Sequence, residues 1–334
     1  MLLYMSMKTA IIHDDKIIIN DTEKITLDNK RGAIVKVLGC GLCGSDIVKF
    51  VHKISKNGTV LGHEIVAKIE EINSDTNFKT GDIIVTSHHI PCGNCVYCRH
   101  GNVSMCEHFK ATNIRPGGFS EYVYLSEEHL QNVAHLKPEN LTNVEASFYE
   151  PLGCIVRAVK RADLKDFDTA LVVGLGSIGI LSAQAIKAFG AKVVGCDLIE
   201  ERINILKSFG IDAFDVRKLP EDFKADCIFM TSGADKALDT ALKYVRNGGK
   251  ILVFSSTPHD QTAYPNNEIY YRELTVMGSY SPSPQDLEDS LELLRTGKVK
   301  VSGLSTEYKL DDIQQAFDDT MSNKIMKAYI SIGE

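Results

Sequence analysis

The stretch at residues 169–186, TALVVGLGSIGILSAQAI, carries no charged side chain over its whole length. A run that long can span a bilayer as a helix. Its three glycines at fixed offsets, with Ser177, Ser182 and Gln184, fit a buried strand, a tight turn and a helix better. Gly174, Gly176 and Gly179 make G-x-G-x-x-G, with Ser177 and Ile178 between the last two. In that pattern the first glycine forms the turn and the second lets a pyrophosphate approach the backbone. The third lets helix pack on strand, while the helix N-terminus faces the anion. These residues are the expected dinucleotide-binding loop. An acid should close the next strand about 20 residues on, and Asp197 stands there. A carboxylate at that place accepts from ribose hydroxyls and repels a 2′-phosphate, so NAD is expected rather than NADP. Asp197 could instead only cap the next helix. Arg202 either lies over the adenine or sits on the exposed face of its helix.

Outward from this loop the texture is α/β. A helical run over 177–189 places Ile178, Leu181, Ala185 and Phe189 along one face. Strand AKVVGCD, helix EERINILKSFG and strand CIFMTS follow, then helix ADKALDTALKYV ending at Asn247-Gly248-Gly249, then strand KILVFSS. Strands alternating with helices at this spacing imply a parallel sheet covered on both faces. The first 150 residues read as β-rich: AIVKVLGCG, EIVAKIEEI and GGFSEYVYL follow a period close to two, and NFKTGDIIVT carries a Gly-Asp turn. The last sixty residues combine helix SPQDLEDSLELLRTG with short strands STEYKL and KAYISI.

At 334 residues two domains are expected. Apolar content of 44% and charged content of 24% fit a soluble globular chain. A net charge of −7 with no basic stripe argues against a nucleic-acid partner. The opening MLLYMSMKTA lacks a basic n-region and a long enough apolar run for a secretory signal, and Met7 offers an alternative start. Nine cysteines without an export signal are expected to be reduced thiols in a cytoplasmic protein with no membrane partner.

Four of those cysteines crowd into residues 91–106, PCGNCVYCRHGNVSMC. Cys92, Cys95, Cys98 and Cys106 have the spacing C-x2-C-x2-C-x7-C, which suits a tetrahedral zinc with no position left for substrate and hence a structural role. A second constellation joins CGLCGSD to GHE about twenty residues on. Cys43, His63 and a carboxylate would make a zinc site with an open fourth position, as catalysis requires. On the residues alone, a cysteine or histidine at a turn is more often structural.

The motifs MKTA, CGLCGSD, GHE, FKTGDIIV, the four-cysteine loop, GGFSEYV, EPLG and GLGSIG occur in one order along the whole chain. In this the sequence closely resembles the zinc-dependent medium-chain dehydrogenase/reductase family, in its polyol (sorbitol-like) and threonine dehydrogenase branches. The resemblance implies a GroES-like β-rich catalytic domain (residues 1–149 and a return segment, 279–334) and a Rossmann doubly wound parallel sheet (150–278), with an active site in the cleft between them. It implies Cys43 and His63 as ligands of the catalytic zinc, with Glu64 or Glu150 as the third. Cys40 is expected in packing, and Asp46 is expected to orient His63. Two zinc ions and NAD are implied per chain. So is a small-molecule alcohol or ketone substrate, with assembly as a homodimer or homotetramer.

The implied reaction is reversible oxidation of a secondary alcohol to a ketone, with Ser45 passing on the hydroxyl proton. Many relatives carry a histidine three residues after that serine; here Val48 stands in its place and the last relay step lacks its usual base. Lys49 could substitute, or the proton could leave through water. His89 resembles a histidine near the active site of threonine dehydrogenases. Phe119 lines the substrate pocket or, as is more usual for such a residue, belongs to the core, and the run GSYSPSP (278–284) lines the pocket or is only a turn. L-threonine oxidation would need a carboxylate-binding cation near the zinc, which the sequence does not place. A non-catalytic NAD-binding protein should have lost the zinc ligands, and all of them are present.

Overall fold

The computed structural model describes residues 6–234, 236–256 and 263–333. It divides into two compact units, one of Met1–Pro151, Ser283–Arg295 and Val301–Glu334, the other of Leu152–Pro282 and Thr296–Lys300.

The first unit is built on strands β1 (Ser6–His13), β2 (Lys16–Glu23), β3 (Gly32–Gly41), β4 (Glu64–Asn73), β5 (Ile83–Thr86), β6 (Tyr122–Ser126) and β7 (His135–Leu136). The second contributes β8 (Thr169–Val173), β9 (Lys192–Asp197), β10 (Asp212–Asp215), β11 (Ala225–Met230), β12 (Val245–Val253) and β13 (Thr275–Gly278). The chain then returns to the first unit with β14 (Thr306–Lys309) and β15 (Ala328–Ser331).

In the first unit β1 and β2 pair as a hairpin, and a mainly antiparallel sheet runs β14-β15-β3-β4-β5-β7, with β6 on β3. Strands β3 and β4 bury most of both faces, which is why AIVKVLGCG and EIVAKI are so apolar. Their side chains form one core with Phe119, Phe317 and Ile330. Cys40 belongs to that core and is fully buried. Phe119 does too, its ring edge-on to Phe317 at 6.2 Å, so it is a core residue and not a pocket wall.

The second unit is a six-stranded parallel sheet in the order β10-β9-β8-β11-β12-β13. The order reverses direction at β8, so the carboxyl end of β8 is the topological switch point at which open α/β sheets bind ligands. The apolar stretch 169–186 is thus strand β8, the glycine turn and helix Ser177–Ala188. Among the described residues no helix is long and apolar enough to cross a membrane. Two expectations change here. Helix Ser177–Ala188 is buried from Gly179 through Ile186 without a break, while Phe189, placed on its inner face by periodicity, is the exposed C-cap residue. A helix enclosed on all sides has no inner face to read. Helix Lys236–Tyr244 stops before Asn247-Gly248-Gly249, which lie inside β12 with Gly248 at φ 69°. The run 278–284 is a turn: Ser281 has φ 57°, and helix Pro284–Arg295 follows.

Candidate metal centres and dinucleotide loop

Cys43 is the N-cap of helix Gly44–Val51, and the cap explains how two distant segments are brought together. The Asp46 carboxylate accepts from the Cys43 amide at 3.2 Å and from the Gly62 amide at 3.3 Å. The same carboxylate lies 3.4 Å from His63 Nδ1. One fully buried acid therefore fixes the backbone beside both Cys43 and His63, and orients the imidazole. Burial works against the charge on Asp46, but His63, Lys49 and the Cys43 amide outweigh it and hold the carboxyl below its ordinary value. Burial likewise opposes charging of His63, yet Asp46 and Cys43 raise it well above the usual imidazole range.

Glu64 follows directly as the first residue of β4. The ligand atoms of Cys43, His63 and Glu64 lie within 4.8 Å of one another. Glu64 Oε1 is buried with no hydrogen-bond partner, while Oε2 is engaged by Lys327 Nζ, which also donates to the Leu42 carbonyl at 3.2 Å. An orphaned carboxylate oxygen beside a thiol and an imidazole is the donor set of a zinc site, so these residues fit the ion. Ser45 is exposed, one residue beyond the Gly44 that follows Cys43, and its amide donates to Cys43 Sγ. Lys327 is a site residue that sequence reading missed: it arrives on the return segment, 263 residues from its partner.

His63 also belongs to a second trio. The ligand atoms of His63, His88 and Glu150 lie within 4.8 Å of one another, and all three residues are buried. Glu150 is in the first turn of helix Tyr149–Ala162, and His88 follows β5 by two residues. The rings of His63 and His88 are 4.4 Å apart, those of His88 and His89 3.8 Å. His89 stacks between His88 and Phe109, with Nδ1 2.5 Å from the Thr112 carbonyl oxygen. Burial, with His63 and His89 close by, pushes His88 well below its ordinary value. Burial also takes His89 down, to about 4, against the pull of the Thr112 carbonyl. Sequence reading singled out His89 and passed over His88, the member of the pair that lies with His63 and Glu150.

In the cysteine loop all four sulfurs lie within 4.8 Å of one another. Cys95 and Cys98 are 3.6 Å apart and Cys92 and Cys98 4.0 Å. A tetrahedron of zinc–sulfur bonds has edges of about 3.8 Å, so the geometry accepts the ion without rearrangement. Burial opposes ionisation of Cys106, but the amides of Cys92 and Phe109 bring it down to about 6. Replacing Cys106 by Ser should therefore lower bound zinc by one ion per chain and make the 92–106 loop the first segment cut by protease. Unchanged zinc content and proteolysis would exclude the structural role.

At the dinucleotide loop a Cβ on Gly179 would stand 1.9 Å from the Gly174 carbonyl oxygen, whereas one on Gly176 would meet nothing within 4 Å. Close packing thus holds the helix–strand crossing at Gly179, while the second glycine faces open space, as a pyrophosphate requires. Asp197 accepts from the amides of Leu175 at 2.6 Å, Leu198 at 2.7 Å and Ile199 at 2.9 Å. It ties the end of β9 to the glycine loop as well as to the next helix. A carboxylate has about four acceptor positions, so room remains for a ribose hydroxyl. Arg202 does not stand on the exposed face of its helix; it turns back toward Asp197, 3.9 Å from Oδ2, with only 18% of its side chain exposed.

Comparison with known proteins agrees with this architecture. Residues 29–135 match the alcohol dehydrogenase GroES-like domain and residues 177–296 the zinc-binding dehydrogenase domain. The chain is 30% identical to a sorbitol dehydrogenase of Halalkalibacterium halodurans over 320 residues, 90% of this chain and 92% of that one. It is 28% identical to a D-arabitol-phosphate dehydrogenase of Enterococcus avium, covering 89% of each. A crystal structure of an Escherichia coli oxidoreductase/dehydrogenase of unknown specificity superposes with a TM-score of 0.86 at 26% identity, covering 99% of this chain and all of that one. Fold, thiolate loop and glycine motif converge with these matches, and the chain belongs to the zinc-dependent medium-chain dehydrogenase/reductase family, in its polyol dehydrogenase branch.

Proposed function

We propose that this protein interconverts a secondary alcohol, of polyol or sugar-derived kind, and its ketone, with NAD as hydride acceptor. The observation that carries the reading is the convergence of Cys43, His63 and Glu64 on one point, with Asp46 behind the histidine. When bound, the catalytic zinc supplies a Lewis acid that acidifies a hydroxyl, and NAD accepts the hydride.

The chain's own residues supply the rest. Asp46 holds His63 through Nδ1, leaving the other ring nitrogen for the ion. Lys327 neutralises Glu64 and restrains one of its oxygens. The exposed Ser45 hydroxyl accepts the proton leaving the alcohol and passes it to water, since Val48 offers no base. Lys327 is packed against this site, but its bonds to Glu64 and the Leu42 carbonyl occupy it, so it offers no free anchor for a substrate carboxylate. A cytoplasmic homodimer or homotetramer accompanies the reading and is measurable by light scattering.

The deciding experiment is zinc analysis with steady-state rates over sugars, polyols, their phosphates and threonine, with NAD and NADP separately. Two zincs per chain and NAD-linked polyol turnover support the proposal. Threonine-specific turnover would replace it, and NAD binding without turnover would end it. Asp197 gives a sharper test of coenzyme choice. Asp197→Asn keeps an acceptor for the backbone amides but removes the charge, so the NAD-to-NADP ratio of kcat/KM should fall by about 10-fold or more, the worth of one charge-assisted hydrogen bond. An unchanged ratio in folded protein would leave Asp197 as a backbone tie alone.

A further inference from the structure

The proposed reaction makes no use of His88, and that residue is unusual. It is 9% exposed, and its Nδ1 is buried with no hydrogen-bond partner. Leaving a buried polar atom unpaired costs about 1–3 kcal/mol, and a bound ion is one of the ways proteins satisfy such an atom. Phenylalanine or leucine would fill the same space at no such cost. The imidazole also sits where two other donors converge, His63 from the start of β4 and Glu150 from the first turn of a helix. Three separate elements thus hold two imidazoles and a carboxylate around one point.

We propose that His63, His88 and Glu150 form a second seat for a divalent cation, overlapping the seat made by Cys43, His63 and Glu64 and sharing His63 with it. Its donors are two nitrogens and one oxygen, without a thiolate, a set that suits zinc as well as harder first-row ions such as iron(II). Zinc–nitrogen bonds put neighbouring donors about 3.3 Å apart in a tetrahedron, so donors within 4.8 Å close on an ion by small side-chain movements. The two seats differ in what they leave behind. In the first, Glu64 keeps its ion pair with Lys327. In the second, Cys43 and Glu64 are released, and a cation displaced from the thiolate has a place to go without leaving the protein.

The test is a zinc titration against a chromophoric chelator, which reads binding and not turnover. Four proteins are compared: wild type, Cys43→Ala, Cys43→Ala with His88→Gln, and Cys43→Ala with Glu150→Gln. The zinc of the four-cysteine loop serves in each as the internal control for folding. Cys43→Ala should still bind a second zinc, more weakly than wild type. Adding His88→Gln or Glu150→Gln should weaken that second zinc by at least about 10- to 100-fold further, the loss that follows removal of even an indirect partner of a metal site. The proposal fails if Cys43→Ala binds only the loop zinc, or if either double variant binds the second zinc as tightly as Cys43→Ala. It stands apart from the proposed function, since absence of turnover by wild type would overturn that reading and leave this titration intact.

Discussion

His63→Ala should lower kcat/KM by about a thousandfold or more, because a Lewis acid contributes several kcal/mol to charge stabilisation and each 1.36 kcal/mol is tenfold. Cys43→Ala should be the milder change. His63 is common to both donor trios, whereas Cys43 belongs to one. Removing the histidine also strips Asp46, which is completely buried, of its main electrostatic partner, and a buried carboxylate that loses its partner is destabilising. The variant should therefore keep one zinc per chain, that of the four-cysteine loop, and melt a few degrees lower. Activity, zinc content and melting temperature measured on the same preparation separate these consequences. If His63→Ala retains near-native kcat/KM and two zincs, the catalytic assignment is wrong. If it loses activity but keeps two zincs, His63 acts on substrate and not on the ion.

What the sequence revealed and what it hid follow from how local each signal is. The glycine loop is read from six residues, because close backbone packing tolerates no side chain at Gly179. The cysteine loop is equally local. Cys43 and His63 are twenty residues apart, and their convergence depends on Asp46 bonding to the amides of both Cys43 and Gly62, which no periodicity announces. His88 and His89 are adjacent and chemically identical, so only the packing of the loop decides which lies beside His63 and Glu150. The helix Tyr149–Ala162 escaped notice because Pro151 and Gly153 look like a turn. Proline is tolerated there because the first turn of a helix needs no amide donor from it. That helix matters, since its first turn carries Glu150.

Lys327→Met should be among the most destabilising single changes in the catalytic unit, costing about 3–5 kcal/mol by leaving one member of a buried ion pair uncompensated. The pair lies almost wholly out of water, with side-chain exposures of 6% for Lys327 and 1% for Glu64. Burial alone would strip the proton from the lysine, but Glu64, with a contribution from Cys43, reverses that and raises its affinity for the proton. A cation whose folded value is raised contributes stability that is full below its unfolded value near 10.5 and is lost as pH rises through the folded one. The pair is therefore intact throughout the neutral range, and wild-type stability should not change there on its account. The double variant Lys327→Met, Glu64→Gln distinguishes a pair from two unrelated residues. Replacing both charges by neutral groups of similar size removes the uncompensated carboxylate, so the double variant should recover most of the loss. Lys327→Arg, which keeps the charge, should recover part of it. Chemical denaturation of wild type, Lys327→Met, Glu64→Gln and the double variant gives the coupling directly. Additive losses would mean that Lys327 stabilises the fold through the Leu42 carbonyl and packing, and that Glu64 is held in place by something other than this lysine.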